Sequence, residues 1–142
     1  MDTAASGFEL REHTADVLLH VWGESLEGLF RTAADGFYSV LGEVATSEVA
    51  EPLRIELEAR DASDLLHDWL AELLFLFEAR HVQVTNIEFL ALTAEKLAVT
   101  AQGARLDIER SQFDAEVKAI TYHGLDVERK GNRYTATVLL DL

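Results

Sequence analysis

The sequence predicts an α+β domain in which a largely antiparallel sheet packs against two amphipathic helices. Three observations lead there. Two stretches carry apolar residues at spacings of three and four, most of the remaining chain alternates with period two, and the strands do not alternate with helices as βαβ units would. Most of the strands fall in a C-terminal run with hairpin-like connections, which is antiparallel connectivity.

Residues 1–6 read as a short frayed tail, and residues 7–142 as one domain. Phe8 to Glu12 alternates weakly, and Asp16 to Trp22 is rich in apolar and β-branched residues up to Gly23, giving two strands around a bend at His13-Thr14-Ala15. Ser25 stands before Leu26, Leu29, Phe30, Ala33, Phe37, Val40 and Leu41, one face of a helix that Gly42 stops. Leu53, Ile55 and Leu57 alternate with charged residues as a half-buried strand does. Asp61 or Ser63 caps a second helix whose apolar positions, Leu65, Leu66, Trp69, Leu70, Leu73, Leu74, Leu76 and Phe77, form a stripe wide enough for burial on more than one side.

Beyond Val82 the period is two again: Ile87, Phe89 and Ala91, then Leu97, Val99 and Ala101, then Tyr134, Ala136, Val138 and Leu140. Turns fit at Ala94-Glu95-Lys96 and at Lys130-Gly131-Asn132, the second joining Leu125–Arg129 to the last strand as a hairpin. Gly103 to Ala115 shows no period and reads as an exposed loop. The expected core contains Leu29, Phe30, Phe37, Trp69, Leu73, Phe89, Val99 and Val138.

At 142 residues the chain has the size of a single-core domain, and 12 Lys plus Arg against 26 Asp plus Glu leave a net charge of −14. Such a surface is ill suited to gripping nucleic acid directly, because that affinity comes from cations that neutralise phosphates. It suits a basic protein partner or a hard cation held by carboxylate oxygens, and it is also what any well-solvated acidic surface looks like. Cysteine is absent, which excludes disulfides, thiolate metal sites and cysteine nucleophiles. Neither a signal peptide nor a membrane span is visible, so a cytoplasmic protein without membrane association is expected.

Several chemistries lack their signatures. No glycine-rich phosphate loop, no G-x-S-x-G elbow and no H-x-x-x-H pair occurs, and His13, His20, His67, His81 and His123 each read first as surface or hydrogen-bonded histidines. Three local features remain. His13-Thr14-Ala15-Asp16 gathers polar side chains before an apolar strand, where an Asx or Thr turn is the plain alternative. Glu116 to Gly124 brings Lys118, Tyr122 and His123 close together; on an extended segment Lys118, Ile120 and Tyr122 share one face, so Lys118 either snorkels from a sheet edge or directs its charge at carboxylates or a partner's phosphate. Asp141 stands one residue before the final Leu142, placing two carboxylates and main-chain carbonyls in a small volume of the kind hard cations use.

Taken in order, Glu12-His13-Thr14-Ala15-Asp16-Val17, the segment Trp69–Phe77, Val117–Leu125 and the ending Val138–Leu142 resemble the archease family over nearly the whole chain from Phe8 onward. The resemblance implies a small acidic protein, itself no enzyme, that activates the tRNA-splicing RNA ligase joining a 3′-phosphate or cyclic phosphate end to a 5′-hydroxyl end. It promotes guanylylation of the ligase and its multiple turnover. The resemblance also implies a metal site made by Asp16, Asp141 and Leu142, the last through main-chain oxygen, with Ca²⁺ the expected occupant in a structure and Mg²⁺ or Mn²⁺ the other candidates. Lys118 is the further position of functional weight, and His13, Tyr122 and His123 are partner-facing candidates. Family members commonly carry a histidine and a basic residue in the loop where this chain has Ser111 and Asp114.

Two alternatives belong to other classes. A small metal-dependent hydrolase would use a bound ion to activate water, with His13 or His123 moving protons. A chaperone or scaffold for RNA-modifying enzymes would need no metal.

Overall fold

The computed structural model describes residues 5–12 and 16–142, in which antiparallel sheets of five, three and two strands accompany two helices. Strands β1 (Gly7–Glu12) and β2 (Asp16–Gly23) pair with Phe8 opposite Val21 and Leu10 opposite Leu19. The bend predicted at His13-Thr14-Ala15 lies outside the described residues. Along β2, Val17, Leu19 and Val21 are buried while Leu18, His20 and Trp22 lie on the more open face, as period two requires.

Helix α1 (Leu26–Leu41) begins where Ser25 Oγ accepts a hydrogen bond from the Gly28 amide at 3.0 Å. It ends at Gly42, whose φ of 123° no side chain adopts comfortably, and the predicted apolar face, Leu29, Phe30, Ala33, Phe37, Val40 and Leu41, is buried. After β3 (Gly42–Glu43) and β4 (Thr46–Glu58), α2 (Ala62–Arg80) opens on Asp61, whose carboxylate accepts from the Asp64 amide at 2.9 Å. Ser63 serves differently, its hydroxyl accepting from the Val127 amide at 2.9 Å.

Leu65, Leu66, Trp69, Leu70, Leu73 and Leu76 are buried, and the Trp69 indole donates to the Phe30 carbonyl at 3.0 Å, tying α2 to α1. The wide stripe of α2 is therefore covered on more than one side, by α1, β4, β5 (Val82–Leu92) and β8 (Ala119–Ile120), but not all round, since Phe75 is 57% exposed.

The remaining strands are β5 (Val82–Leu92), β6 (Lys96–Leu106), β7 (Gln112–Phe113), β9 (Glu128–Lys130) and β10 (Arg133–Asp141). Sheet order is β1-β2-β10-β8, with β9 also paired to β10; a second sheet runs β4-β6-β5, and β3 pairs β7. All ladders are antiparallel. Helix α1 packs on β1, β2 and β10 and reaches β5, so one core, built from the two larger sheets and both helices, fills the interior.

Three expectations need correction. The buried face of β5 is Val82 and Val84, because the register shifts between Thr85 and Glu88, where Asn86 takes a φ of 51°; beyond the bulge Ile87 and Phe89 face inward but are only partly covered, and Ala91 is exposed. Phe89 is thus a margin of the core and not its centre. Gly103–Leu106 is the end of β6 and largely buried, and Gln112–Phe113 is β7, so only the turn between them is the exposed loop that the charged residues suggest. The predicted strand over Leu125–Arg129 narrows to Glu128–Lys130, with the hairpin at Gly131 where expected.

Candidate functional site

Strand β10 lies between β2 on one edge and β8 and β9 on the other, and this brings three distant segments to one end of the sheet. Asp141 is directly opposite Asp16 in the β2–β10 ladder, and on its other side Asp141 is opposite Ala119. Directly opposed residues project to the same face with Cβ atoms about 5 Å apart, a separation across which two carboxylates can share one cation. Asp141 is exposed and Asp16 half-buried.

Lys118 joins them through the backbone. Its amide donates to the Asp141 carbonyl at 2.7 Å, and the Thr121 amide donates to the Leu139 carbonyl at 3.0 Å, so the Lys118–Thr121 segment is laced to β10 at both ends. The extended alternation expected here does not hold. Val117 is fully buried, Lys118 exposed and Ile120 buried, so Lys118 does not share the apolar face of Ile120, and only Ala119 and Ile120 are regular strand.

Leu142 packs half-buried against the core and, with Leu10, Val17, Val40, Asp114 and Ala115, lines a cleft of about 330 Å³. Asp114, one of the two positions that depart from the family pattern, therefore borders the cleft that receives the end of the chain. Ser111, the other, is structural: its hydroxyl donates to the Asp107 carbonyl at 2.7 Å and accepts from the Ala45 amide at 2.9 Å.

The other expected site residues separate. His13 lies outside the described residues. His123 is exposed, with its amide donating to Thr121 Oγ1 at 3.2 Å. Tyr122 turns onto α2, where its ring stacks on His67 at 3.6 Å with planes 15° apart and its hydroxyl lies 3.4 Å from Asp68 Oδ1. Partial desolvation in this stack, then the Asp68 carboxylate, raise the Tyr122 phenol above its ordinary pKa.

His67 is hydrogen-bonded, as the sequence suggests, but its partners are not legible there. Its Nε2 lies 2.8 Å from the Ile120 carbonyl and its Nδ1 3.0 Å from Asp68 Oδ1, so α2 holds the short β8 strand through one imidazole. No spacing signal marks it, because its partner is a main-chain oxygen far along the chain.

The donor set fits a hard cation in kind: two carboxylates plus a main-chain oxygen of Leu142. Among the described residues no group of three His, Asp or Glu side chains converges as a metal cluster. No helix among the described residues is long and apolar enough to cross a membrane.

Comparison with known proteins identifies the family of the chain. The profile of the archease protein family matches residues 8–142. Protein archease of Methanopyrus kandleri is 37% identical over 134 residues, covering 92% of this chain and 96% of the relative, and that of Pyrococcus abyssi is 33% identical, covering 95% and 98%. The solution structure of Methanobacterium thermoautotrophicum protein 1598 superposes with a TM-score of 0.71 at 29% identity, covering 96% of this chain and 99% of that one. A Thermotoga maritima crystal structure, described as an archease and possible chaperone, shares the fold with a TM-score of 0.70 at 21% identity over 94% and 96% of the two chains. The family match spans nearly the whole chain, and the chain belongs to the archeases.

Proposed function

We propose that this chain is an accessory protein of the tRNA-splicing RNA ligase, promoting ligase guanylylation and repeated turnover without a catalytic centre of its own. Family membership supplies the activity class, and one observation supports locating it at the end of β10: the segments carrying Asp16, Lys118 and Asp141 meet there although they are far apart in the chain. In this reading Asp16, Asp141 and a main-chain oxygen of Leu142 hold a divalent cation, which supplies positive charge between otherwise repelling carboxylates. Lys118, exposed beside them, presents its ammonium to a phosphate on the ligase-bound nucleotide. The net charge of −14 favours docking on a basic protein surface over a grip on RNA, and a site of action in cytoplasmic tRNA processing accompanies the reading.

The deciding experiment mixes this protein with the ligase of its own organism, GTP and a divalent metal, and follows ligase guanylylation and multiple turnover at two salt concentrations. Acceleration that weakens at higher salt is the expected result, since steering acts over a Debye length of about 8 Å at physiological ionic strength. A ligase that behaves identically with and without the protein at both salts overturns the proposal. The exposed apolar residues Phe75, Ile108 and Phe113 favour one second reading, a chaperone for RNA-modifying enzymes; its activity would survive Asp16→Ala, whereas ligase activation would not.

A further inference from the structure

The outer surface of α2 changes character along its length. Asp61, Asp64, Asp68 and Glu72 line its first half, whereas Ala71, Leu74, Phe75 and Ala79 form a shallow apolar hollow of about 460 Å³ beside Glu78. On the other side of Glu78, Phe77 joins Leu41, Ile108, Phe113 and Val117 around a groove of about 390 Å³. Phe75 is 57%, Ile108 56% and Phe113 42% exposed, and Phe77 meets Phe113 edge-on at 6.0 Å. The core does not need these side chains outward, and an apolar helix face left open in this way marks a contact surface.

The rim restricts what can cover it. Glu78 and Glu116 border the two hollows, with Asp114 next to Phe113. The nearby arginines are occupied within the chain: Arg80 pairs with Glu51, and Arg110 holds Asp107 at 2.6 Å. A second copy docking through the same face would set these acidic groups against one another, because a two-fold interface pairs a surface with itself. Residues 71–79 rise about 12 Å along α2, a length matched by two turns of a helix.

We infer that the Phe75–Phe113 surface is a docking groove for an amphipathic helix of another protein, one whose apolar face is flanked by Lys and Arg. The apolar anchors enter the hollows on either side of Glu78, and the flanking cations meet Glu78 and Glu116. This goes beyond the ligase-activator reading and does not depend on it, since neither aspartate of the candidate metal site takes part.

The test uses the full-length protein and a fluorescein-labelled helical peptide of about 18 residues, with Leu at helical spacing flanked by Lys and Arg, read by fluorescence anisotropy. Saturable binding is expected, weakened at least roughly tenfold by Phe75→Ser or Ile108→Ser and by reversal of Glu78 to Lys, and absent for the peptide with Glu in place of Lys and Arg. Amide shifts of the labelled protein should fall on residues 71–79 and 106–117. Both serine substitutions are at exposed positions, and circular dichroism verifies that the variants remain folded. Binding undiminished in the Phe75→Ser, Ile108→Ser double variant, shifts spread over the acidic surface at large, or no binding at all overturns the inference. So does a concentration-dependent dimer in sedimentation that Phe75→Ser abolishes, which would make a second copy the occupant.

Discussion

Asp16 and Asp141 face each other directly across the β2–β10 ladder, one at the first position of its strand and the other at the last. Like charges in that relationship destabilise a sheet by roughly 0.2–1 kcal/mol. Asp141→Asn should therefore raise Tm by about 1–3 °C in a chelating buffer, while removing the stabilisation that Ca²⁺ or Mg²⁺ gives the wild type. Thermal denaturation with and without each ion checks both signs.

His67 holds the Ile120 carbonyl at 2.8 Å, and Ile120 is opposite Leu140 in β10. Replacing it with alanine removes a hydrogen bond worth about 0.5–1.5 kcal/mol and loosens the segment that places Lys118. Amide hydrogen exchange at Lys118 and Thr121 should accelerate by up to about tenfold in His67→Ala, with the α1 amides unchanged. Tyr122→Phe gives up only a 3.4 Å contact and should leave the same amides near their wild-type rates.

The Tyr38 hydroxyl accepts from the Val84 amide at 2.9 Å inside the core, and burial pushes the phenol well above its ordinary value. In the unfolded chain it ionises near about pH 10. A pKa raised by folding contributes stability that is fully present below the unfolded value and is lost as pH rises above it, so the protein should weaken progressively above about pH 10. Tyr38→Phe should cost about 1–3 kcal/mol at neutral pH by orphaning the Val84 amide, and should flatten the alkaline limb. Urea titrations at pH 7, 9 and 10.5 measure both effects.

A Cβ at Gly42 would collide with the Gln112 carbonyl and the Asp114 amide, on a backbone already at a φ of 123°. Gly42→Ala should therefore destabilise by about 2–5 kcal/mol and break the β3–β7 pairing. Gly131, at a φ of 64° with open space around it, should lose only about 1 kcal/mol on the same change. Chemical denaturation of the two variants side by side makes the comparison.

What was legible in the sequence is what local chemistry dictates. Ser25, the spaced apolar residues and Gly42 define α1 completely, because cap, face and stop all lie within the element. The misread places turn on tertiary detail. One residue out of register near Asn86 exchanges the faces of β5, and no periodicity count detects a bulge before its partner strand is known. Placing Lys118 with Ile120 presumes a regular extended segment, whereas Val117 and Ile120 are buried and Lys118 between them is exposed. Family resemblance pointed to Asp16 and Asp141 together; the register of β2 on β10 supplies the physical reason they can meet.

Strand β10 follows every other strand of its sheet in the chain yet sits between them, paired with β2 on one edge and with β8 and β9 on the other. During synthesis the β1–β2 hairpin must therefore wait with one edge open while both helices and the β4-β6-β5 sheet are already available to fold. Closing the sheet requires the longest-range pairings in the molecule, the slowest kind to form. The end of the sheet where Asp16 and Asp141 meet is accordingly assembled last, and an incomplete chain displays an unpaired β2 edge open to association with other strands.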